Sequence, residues 1–160
     1  MSEPRITEEF VTETANSLPG FPRVISEILA TIDDPDANLH SLTELISLDP
    51  AIAAKVFAIA GTAARSRQLG EIRDVFTAAS LIGLSAVRRL AIMSSCGIFF
   101  RDMAPAGINS MFWQHSVAVA VCAEEIAHHV SPPVSTAQAL LAGLLHDVGQ
   151  LWLIRFLPHD

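Results

Sequence analysis

Apolar residues recur every three or four positions through most of this chain, and no segment alternates between apolar and polar residues over the length of a strand. A repeat of i, i+3 and i+4 puts apolar side chains on one face of an α-helix, whereas a half-buried strand needs a period of two. Val24, Ile28 and Ile32, for example, follow the helical repeat. The sequence therefore predicts an all-α fold, a compact bundle of several helices.

Capping residues and prolines divide this pattern into separate helices. Asp49 precedes Pro50, so a helix can begin there with Asp49 as its cap and the proline in its first turn. Ser135 and Gln138 have the spacing of a capping box. We predict that the last helix begins after Ser135 and runs without a break to Leu157.

Glycines mark further boundaries. Gly61 and Gly70 bound a predicted arginine-rich loop, and Gly83 divides two predicted helices. Asn38 is a candidate cap for an earlier helix. The helices predicted after Gly70 lie over 72–82, 84–99 and about 109–130.

Composition narrows the class of function. The chain has 160 residues, of which 51% are hydrophobic and 17% are charged, as expected for a single packed domain. Its net charge of −7 argues against nucleic acid, because binding to phosphate backbones needs a basic face. The densest basic stretch, Arg65, Arg67 and Arg73, is typical of a solvated helix end and loop.

No segment predicts a membrane span. The longest uncharged stretch, 104–123, contains Pro105 and His115, which a lipid-facing helix would accommodate at a cost. The N-terminus carries acidic residues where a signal peptide needs basic ones. We therefore expect a cytoplasmic protein that does not bind membranes, in which Cys96 and Cys122 are reduced and buried.

Three residues could bind a metal ion. His146 and Asp147 are adjacent on the predicted last helix, about 100° apart around its axis, and His115 lies on another predicted helix. If these helices pack side by side, the three side chains converge. Two imidazoles and a carboxylate suit a divalent transition metal such as Fe, Mn or Zn, which can activate water to attack a phosphate. The alternative is a hydrogen-bonded cluster with a structural role only.

The same residues belong to a series of motifs whose order and spacing resemble the HDOD family, the HD-related output domains of bacterial regulatory proteins. The motifs are Leu18-Pro19 with Pro22, Asp33-Asp34-Pro35, Leu45-Ile46-Ser47-Leu48-Asp49-Pro50, Ala78-Ala79-Ser80-Leu81-Ile82-Gly83-Leu84, Trp113-Gln114-His115-Ser116 and Ala142-Gly143-Leu144-Leu145-His146-Asp147-Val148-Gly149. The resemblance implies an all-α bundle and a role in bacterial signal transduction, without catalysis. His115 and His146-Asp147 also resemble the metal signature of the wider HD superfamily of phosphohydrolases.

The chain departs from the catalytic HD pattern in two places. HD enzymes take a further Asp ligand from a later helix, whereas the only acidic residue after Asp147 is Asp160. Related HD-GYP enzymes carry a Lys that can hold phosphate where this chain has Gln150. We therefore predict a non-catalytic signalling domain that acts through a protein partner and needs no cofactor, with a vestigial metal site at His115, His146 and Asp147.

The domain organisation follows from the extent of the resemblance. We divide the chain into a leading helix over 1–17 and an HDOD-like domain over 18–160. Domains of this family usually continue beyond the last motif found here, which predicts a domain truncated at its C-terminus. Missing helices would leave apolar surface uncovered, so we also expect a homo-oligomer through that face.

Two other functions stay open. The chain could be a metal-dependent HD-type phosphohydrolase acting on a nucleotide or cyclic dinucleotide, with the same three residues holding the metal. It could instead bind a small anion through Arg65, Arg67 or Arg88. Arg88-Arg89 could also bind a partner carboxylate, although a solvated helix face is the simpler interpretation.

Overall fold

The structure is a computed structural model that describes residues 6–20, 23–31, 38–68, 70–103 and 110–157. These residues form nine helices and no strand, which confirms the all-α prediction. In chain order the helices are α1 (Glu8–Asn16), α2 (Arg23–Ala30), α3 (Leu39–Ser47), α4 (Pro50–Ser66), α5 (Val75–Ile82), α6 (Leu84–Met103), α7 (Ser110–His129), α8 (Thr136–Leu145) and α9 (Val148–Phe156). Some predicted features lie outside the described residues, namely Pro22, Asp33-Asp34-Pro35, Pro105 and Asp160.

The predicted caps lie at the starts of helices. The Asp49 carboxylate accepts hydrogen bonds from the backbone amides of Ala51 and Ile52, at 2.9 and 3.2 Å. The side chains of Asn38 and Ser135 each accept one from the amide three residues later. Each bond satisfies an amide that has no carbonyl partner within its helix, and these boundary predictions are confirmed.

The predicted loop between Gly61 and Gly70 is wrong at its start, because α4 continues through Gly61 to Ser66. Ala60 and Ala64 lie on the buried face of the same helix. A glycine inside a helix costs about 1 kcal/mol relative to alanine. Burial of the apolar face on both sides of Gly61 outweighs that cost.

Gly83 divides α5 from α6 as predicted. Its φ of 89° lies in the left-handed region, where a residue with a Cβ would be strained. However, α5 begins at Val75, three residues later than predicted. Asp74 accepts hydrogen bonds from the backbone amide and the hydroxyl of Thr77, both at 2.7 Å, and so fixes the first turn.

The last predicted helix is interrupted at His146 and Asp147, so the expectation of one continuous helix is wrong. Asp147 has φ −108° and ψ 17°, outside the helical range, between α8 and α9. The carbonyl of Gly143 accepts a hydrogen bond from Nδ1 of His146 at 2.8 Å. Local bonds of this kind between side chain and backbone compete with a continuous helical ladder.

The core lies between α6 and the helices packed around it. The largest fully buried side chains are Ile28, Ile46, Ile52, Ile92, Met103, Leu140, Leu144, Leu151, Val56, Val87 and Cys96. α1 has no buried residue. It contacts the rest of the fold through Phe10, whose ring lies 6.0 Å from that of Trp152 in an edge-on arrangement.

Two predictions about side chains are corrected by the packing. Cys96 is buried as predicted, but Cys122 is exposed, because α7 presents that position to solvent. The solvated face predicted for Arg89 is only part of the picture, because its side chain is 44% exposed but is also paired. Its guanidinium forms an ion pair with the carboxylate of Glu124, which is 8% exposed, so α6 and α7 are joined by a partly buried salt bridge.

Other side chains lie where the sequence placed them. Trp113 is half-buried and its ring lies 5.6 Å from that of Phe100, which confirms its packing role.

No single described helix is long and apolar enough to cross a membrane. α5 and α6 meet that requirement only as a pair, and they are bent by 109° relative to each other.

Candidate metal centre

The structure brings His115, His146 and Asp147 together. His115 lies in the second turn of α7, while His146 and Asp147 form the junction between α8 and α9. α7 and α8 pack along each other, so the junction lies beside the His115 ring. The break in the last helix therefore gives His146 and Asp147 a geometry that a continuous helix would not have.

The donor atoms are spaced like the ligands of one ion. His115 Nε2 lies 3.3 Å from His146 Nε2 and 3.6 Å from Asp147 Oδ2. His146 Nε2 lies 3.1 Å from the same carboxylate oxygen. Two ligands of a tetrahedral zinc ion, each about 2.1 Å from the metal, lie about 3.4 Å apart. The residues present therefore fit a divalent transition metal held by three protein ligands.

The hydrogen bond to Gly143 sets the tautomer of His146. A carbonyl oxygen only accepts, so Nδ1 of His146 carries the proton and donates it. In the neutral ring this leaves the lone pair of Nε2 directed at His115 and Asp147. Backbone carbonyls orient metal-binding histidines in this way in many proteins.

The cluster is open to solvent. The side chains of His115, Asp147 and His146 are 57%, 37% and 33% exposed. Among the described residues, the basic groups beside the Asp147 carboxylate are the rings of these two histidines. A metal held here would keep at least one coordination position that a further ligand could fill.

An exposed row of α7 residues surrounds His115, and sequence reasoning missed it. We call this row the α7 stripe: Met111, Ala118, Cys122 and Ile126, on the same face as His115. All four are exposed, Met111 by 67% and Ile126 by 62%. Together with His115, they are spaced by three or four residues, which was visible in the sequence, but periodicity alone does not show whether an apolar helix face is buried or exposed.

The arginines considered for anion binding are less well placed. A cavity of about 30 Å³ is lined by Arg88, Arg89 and Glu124, which is room for one or two water molecules. Glu124 neutralises Arg89 there. Arg65 and Arg67 lie at the exposed end of α4. This arrangement does not favour a nucleotide site at Arg88 and Arg89.

Comparisons with known proteins place the chain among HD-related folds. The sequence model of the HDOD domain matches residues 18–160. An HDOD domain protein with unknown function from Geobacter sulfurreducens has a structure with a TM-score of 0.68 and 24% identity, matched over 92% of this chain and 51% of that one. A candidate signal transduction protein from Marinobacter aquaeolei VT8 has a TM-score of 0.68 and 26% identity, matched over 96% of this chain and 34% of that one.

Two further relatives extend the comparison. A candidate phosphohydrolase from Shewanella amazonensis SB2B has a TM-score of 0.61 and 24% identity, over 90% of this chain and 50% of that one. An uncharacterised protein of Treponema pallidum (strain Nichols) is 21% identical over 88% of this chain and 27% of its own length. The chain thus spans about half or less of the proteins that it matches.

Proposed function

The chain belongs to the HDOD domain family, and on that premise we propose that it is a cytoplasmic, non-catalytic signalling domain that acts by binding another protein. The family and the 26% identity to a candidate signal transduction protein support a signalling-related role. The surface of the fold supports binding to a protein partner.

The exposed α7 stripe carries this proposal. Met111 and Ile126 expose most of their apolar surface, although burying such side chains is favourable by about 1.5–3 kcal/mol each. Ala118 and Cys122 continue the apolar row between them. Contiguous exposed apolar patches on otherwise well-packed domains mark interaction sites. An amphipathic helix from a partner is the kind of surface that fits such a row.

The ligand set supports a binding role rather than a catalytic one. Hydrolysis of a phosphate ester needs positive groups that stabilise the developing charge on the phosphoryl oxygens. Gln150, in the first turn of α9, is neutral, and Arg89 is paired with Glu124. Neither residue therefore supplies an unpaired positive charge to a phosphate held at the three donors.

A bound metal would be held by His115, His146 and Asp147, and it would supply Lewis acidity at its open position. Each protein ligand has a defined part in the site. His146 is oriented by Gly143, Asp147 supplies the negative charge, and His115 ties α7 to the α8–α9 junction. In the proposed function this site orders the surface next to the α7 stripe.

The test combines metal analysis with an assay for hydrolysis. Plasma mass spectrometry would measure Fe, Mn and Zn in the purified parent chain and in Asp147→Ala, and both proteins would be assayed against phosphomonoesters, nucleotides and cyclic dinucleotides. We expect metal in the parent, less metal in the variant, and no turnover above background in either. Turnover by the metal-loaded parent that Asp147→Ala abolishes would contradict the proposal.

The second candidate function is a metal-dependent phosphohydrolase, which turnover by the metal-loaded parent would support. Its supporting observation is the convergence of three metal-ligand atoms within 4.8 Å of one another. The same assay separates the two functions, because only the enzyme turns over substrate and depends on Asp147 for its rate.

A further inference from the structure

We propose that zinc joins two copies of this chain through α7, with Cys122 of the second copy as the fourth ligand of the His115, His146 and Asp147 site. This inference rests on the proposed function, because it takes the α7 stripe to be an interaction surface. The partner at that surface is a second copy of the chain, and it binds when zinc is present.

The first observation is that a thiol lies on the same face as an incomplete metal site. Cys122 is exposed and follows His115 by seven residues, which is two helical turns. That separation is about 10 Å along the helix axis, too far for Cys122 to bind the metal of its own chain. A thiolate with two imidazoles and a carboxylate forms a complete tetrahedral set for zinc.

The second observation is the spacing along the stripe. The first positions of the row are Met111, His115, Ala118 and Cys122. Successive positions are separated by four, three and four residues, and this order of separations is the same in both directions along the helix. An antiparallel pair of α7 helices can therefore superpose the series on itself. His115 then lies opposite Ala118 of the second copy, and Met111 lies opposite Cys122 of the second copy.

This register directs the thiol towards the imidazole. Side chains on a helix lean towards the N-terminus of their own helix, so on antiparallel helices they lean in opposite directions. His115 and Cys122 of the second copy start about 6 Å apart along the axis, four residues at about 1.5 Å each, and they lean towards each other. Ala118 is small, so it lets the two helices approach closely at the centre of the pair.

Charge does not oppose this contact. α7 has no Asp, Glu, Lys or Arg between Ser110 and Ala123, so the superposed positions bring no like charges together. The antiparallel arrangement is also a closed two-fold contact, in which each copy completes the site of the other. Each thiol releases its proton to solvent as it binds zinc.

The size of the stripe explains why zinc is required. A stable protein interface usually involves about 20–30 residues on each side, whereas the stripe with His115 offers five. The apolar contact alone is too small to hold two copies together. Two shared zinc ions supply the remaining binding free energy, so the association should follow the metal.

The experiment measures mass and coordination on the intact 160-residue chain. Light scattering after gel filtration, in a non-thiol reductant, should give the monomer mass of 17.2 kDa with a chelator and twice that mass with one equivalent of Zn²⁺. With Co²⁺ in place of Zn²⁺, the parent should show a thiolate-to-cobalt absorption band in the near ultraviolet. Cys122→Ser should lose both the dimer and the band.

A matched control excludes bridging of copies by other histidines. His128 and His129 are exposed at the end of α7, and a His128→Ala, His129→Ala variant should still double its mass with Zn²⁺. The proposal is overturned if the parent stays monomeric with Zn²⁺, if Cys122→Ser still dimerises, or if the parent dimerises equally with chelator. Hydrolytic activity of a metal-loaded monomer would instead contradict the proposed function, so the two failures are distinguishable.

Discussion

Gly143 of α8 lies so close to Ala120 of α7 that a Cβ atom placed on Gly143 would stand 2.5 Å from the Cα atom of Ala120. No real Cβ contact is that short between fixed backbone atoms, so only glycine allows the two helices to approach this closely. The same helices carry His115 and His146, and Gly143 itself accepts the hydrogen bond that orients His146. Close helix packing and metal-ligand geometry therefore depend on one residue.

The first prediction is that Gly143→Ala destabilises the fold and weakens metal binding. Overpacking of a tight contact costs about 1–3 kcal/mol, and displacing α8 from α7 would move His146 away from His115. Denaturant unfolding and titration with Zn²⁺ would measure the two effects. Gly97→Ala is the matched control, since a Cβ there would meet Trp113 at an ordinary 3.5 Å and a helical alanine gains about 0.5–1 kcal/mol over glycine. Equal stability of the two variants would contradict the close packing.

The second prediction concerns the salt bridge between Arg89 and Glu124. Replacing Arg89 by Met leaves a buried carboxylate without its cation, which should cost about 1–3 kcal/mol of unfolding free energy. The loss is smaller than for a fully buried pair, because Arg89 is 44% exposed and water can reach the site. Chemical denaturation would measure it. Glu125→Gln, at the exposed neighbouring position, should change stability by less than about 0.5 kcal/mol.

The third prediction is that the two cysteines differ in reactivity. Burial raises the pKa of the Cys96 thiol to about 12, because an apolar interior disfavours the thiolate. Cys122 is exposed. At pH 8, a thiol reagent should modify one cysteine per folded chain and two per unfolded chain, with none modified in folded Cys122→Ser. Mass spectrometry of the labelled protein counts them, and rapid labelling of both cysteines in the folded chain would refute the prediction.

The fourth prediction is a dependence of stability on pH at Asp74. Hydrogen bonds from the amide and hydroxyl of Thr77 hold the pKa of the Asp74 carboxyl below its ordinary value of 3.8. The unfolded chain therefore binds the proton more readily than the folded chain. The ionised Asp74 carboxylate stabilises the fold fully at pH values above 3.8, and this stabilisation is lost as the pH falls through the lower pKa of the folded state. Asp74→Asn should be less stable than the parent at pH 7, and the difference should shrink at about pH 3. Melting temperatures across this range would test it, and a difference independent of pH would contradict it.

The local features of the fold could be read from single stretches of sequence. Asp49 caps α4 and Ser135 caps α8 because each side chain bonds an amide two or three residues away. The division at Gly83 is equally local, since it depends on the backbone of one residue. The loop predicted from Gly61 failed for a reason that is not local. α4 continues through Gly61 because neighbouring alanines are buried by other helices.

Periodicity, capping and donor chemistry are properties of a few adjacent residues, so the helical class, most helix boundaries and the three side chains suited to a metal could be predicted without a structure. The packing of the helices decided that His115 meets His146 and Asp147, and that Cys122 and the α7 stripe face outward. Those outcomes depend on which helices pack together and how closely. That is set by contacts between residues far apart in the chain, such as Gly143 against Ala120 and Arg89 with Glu124.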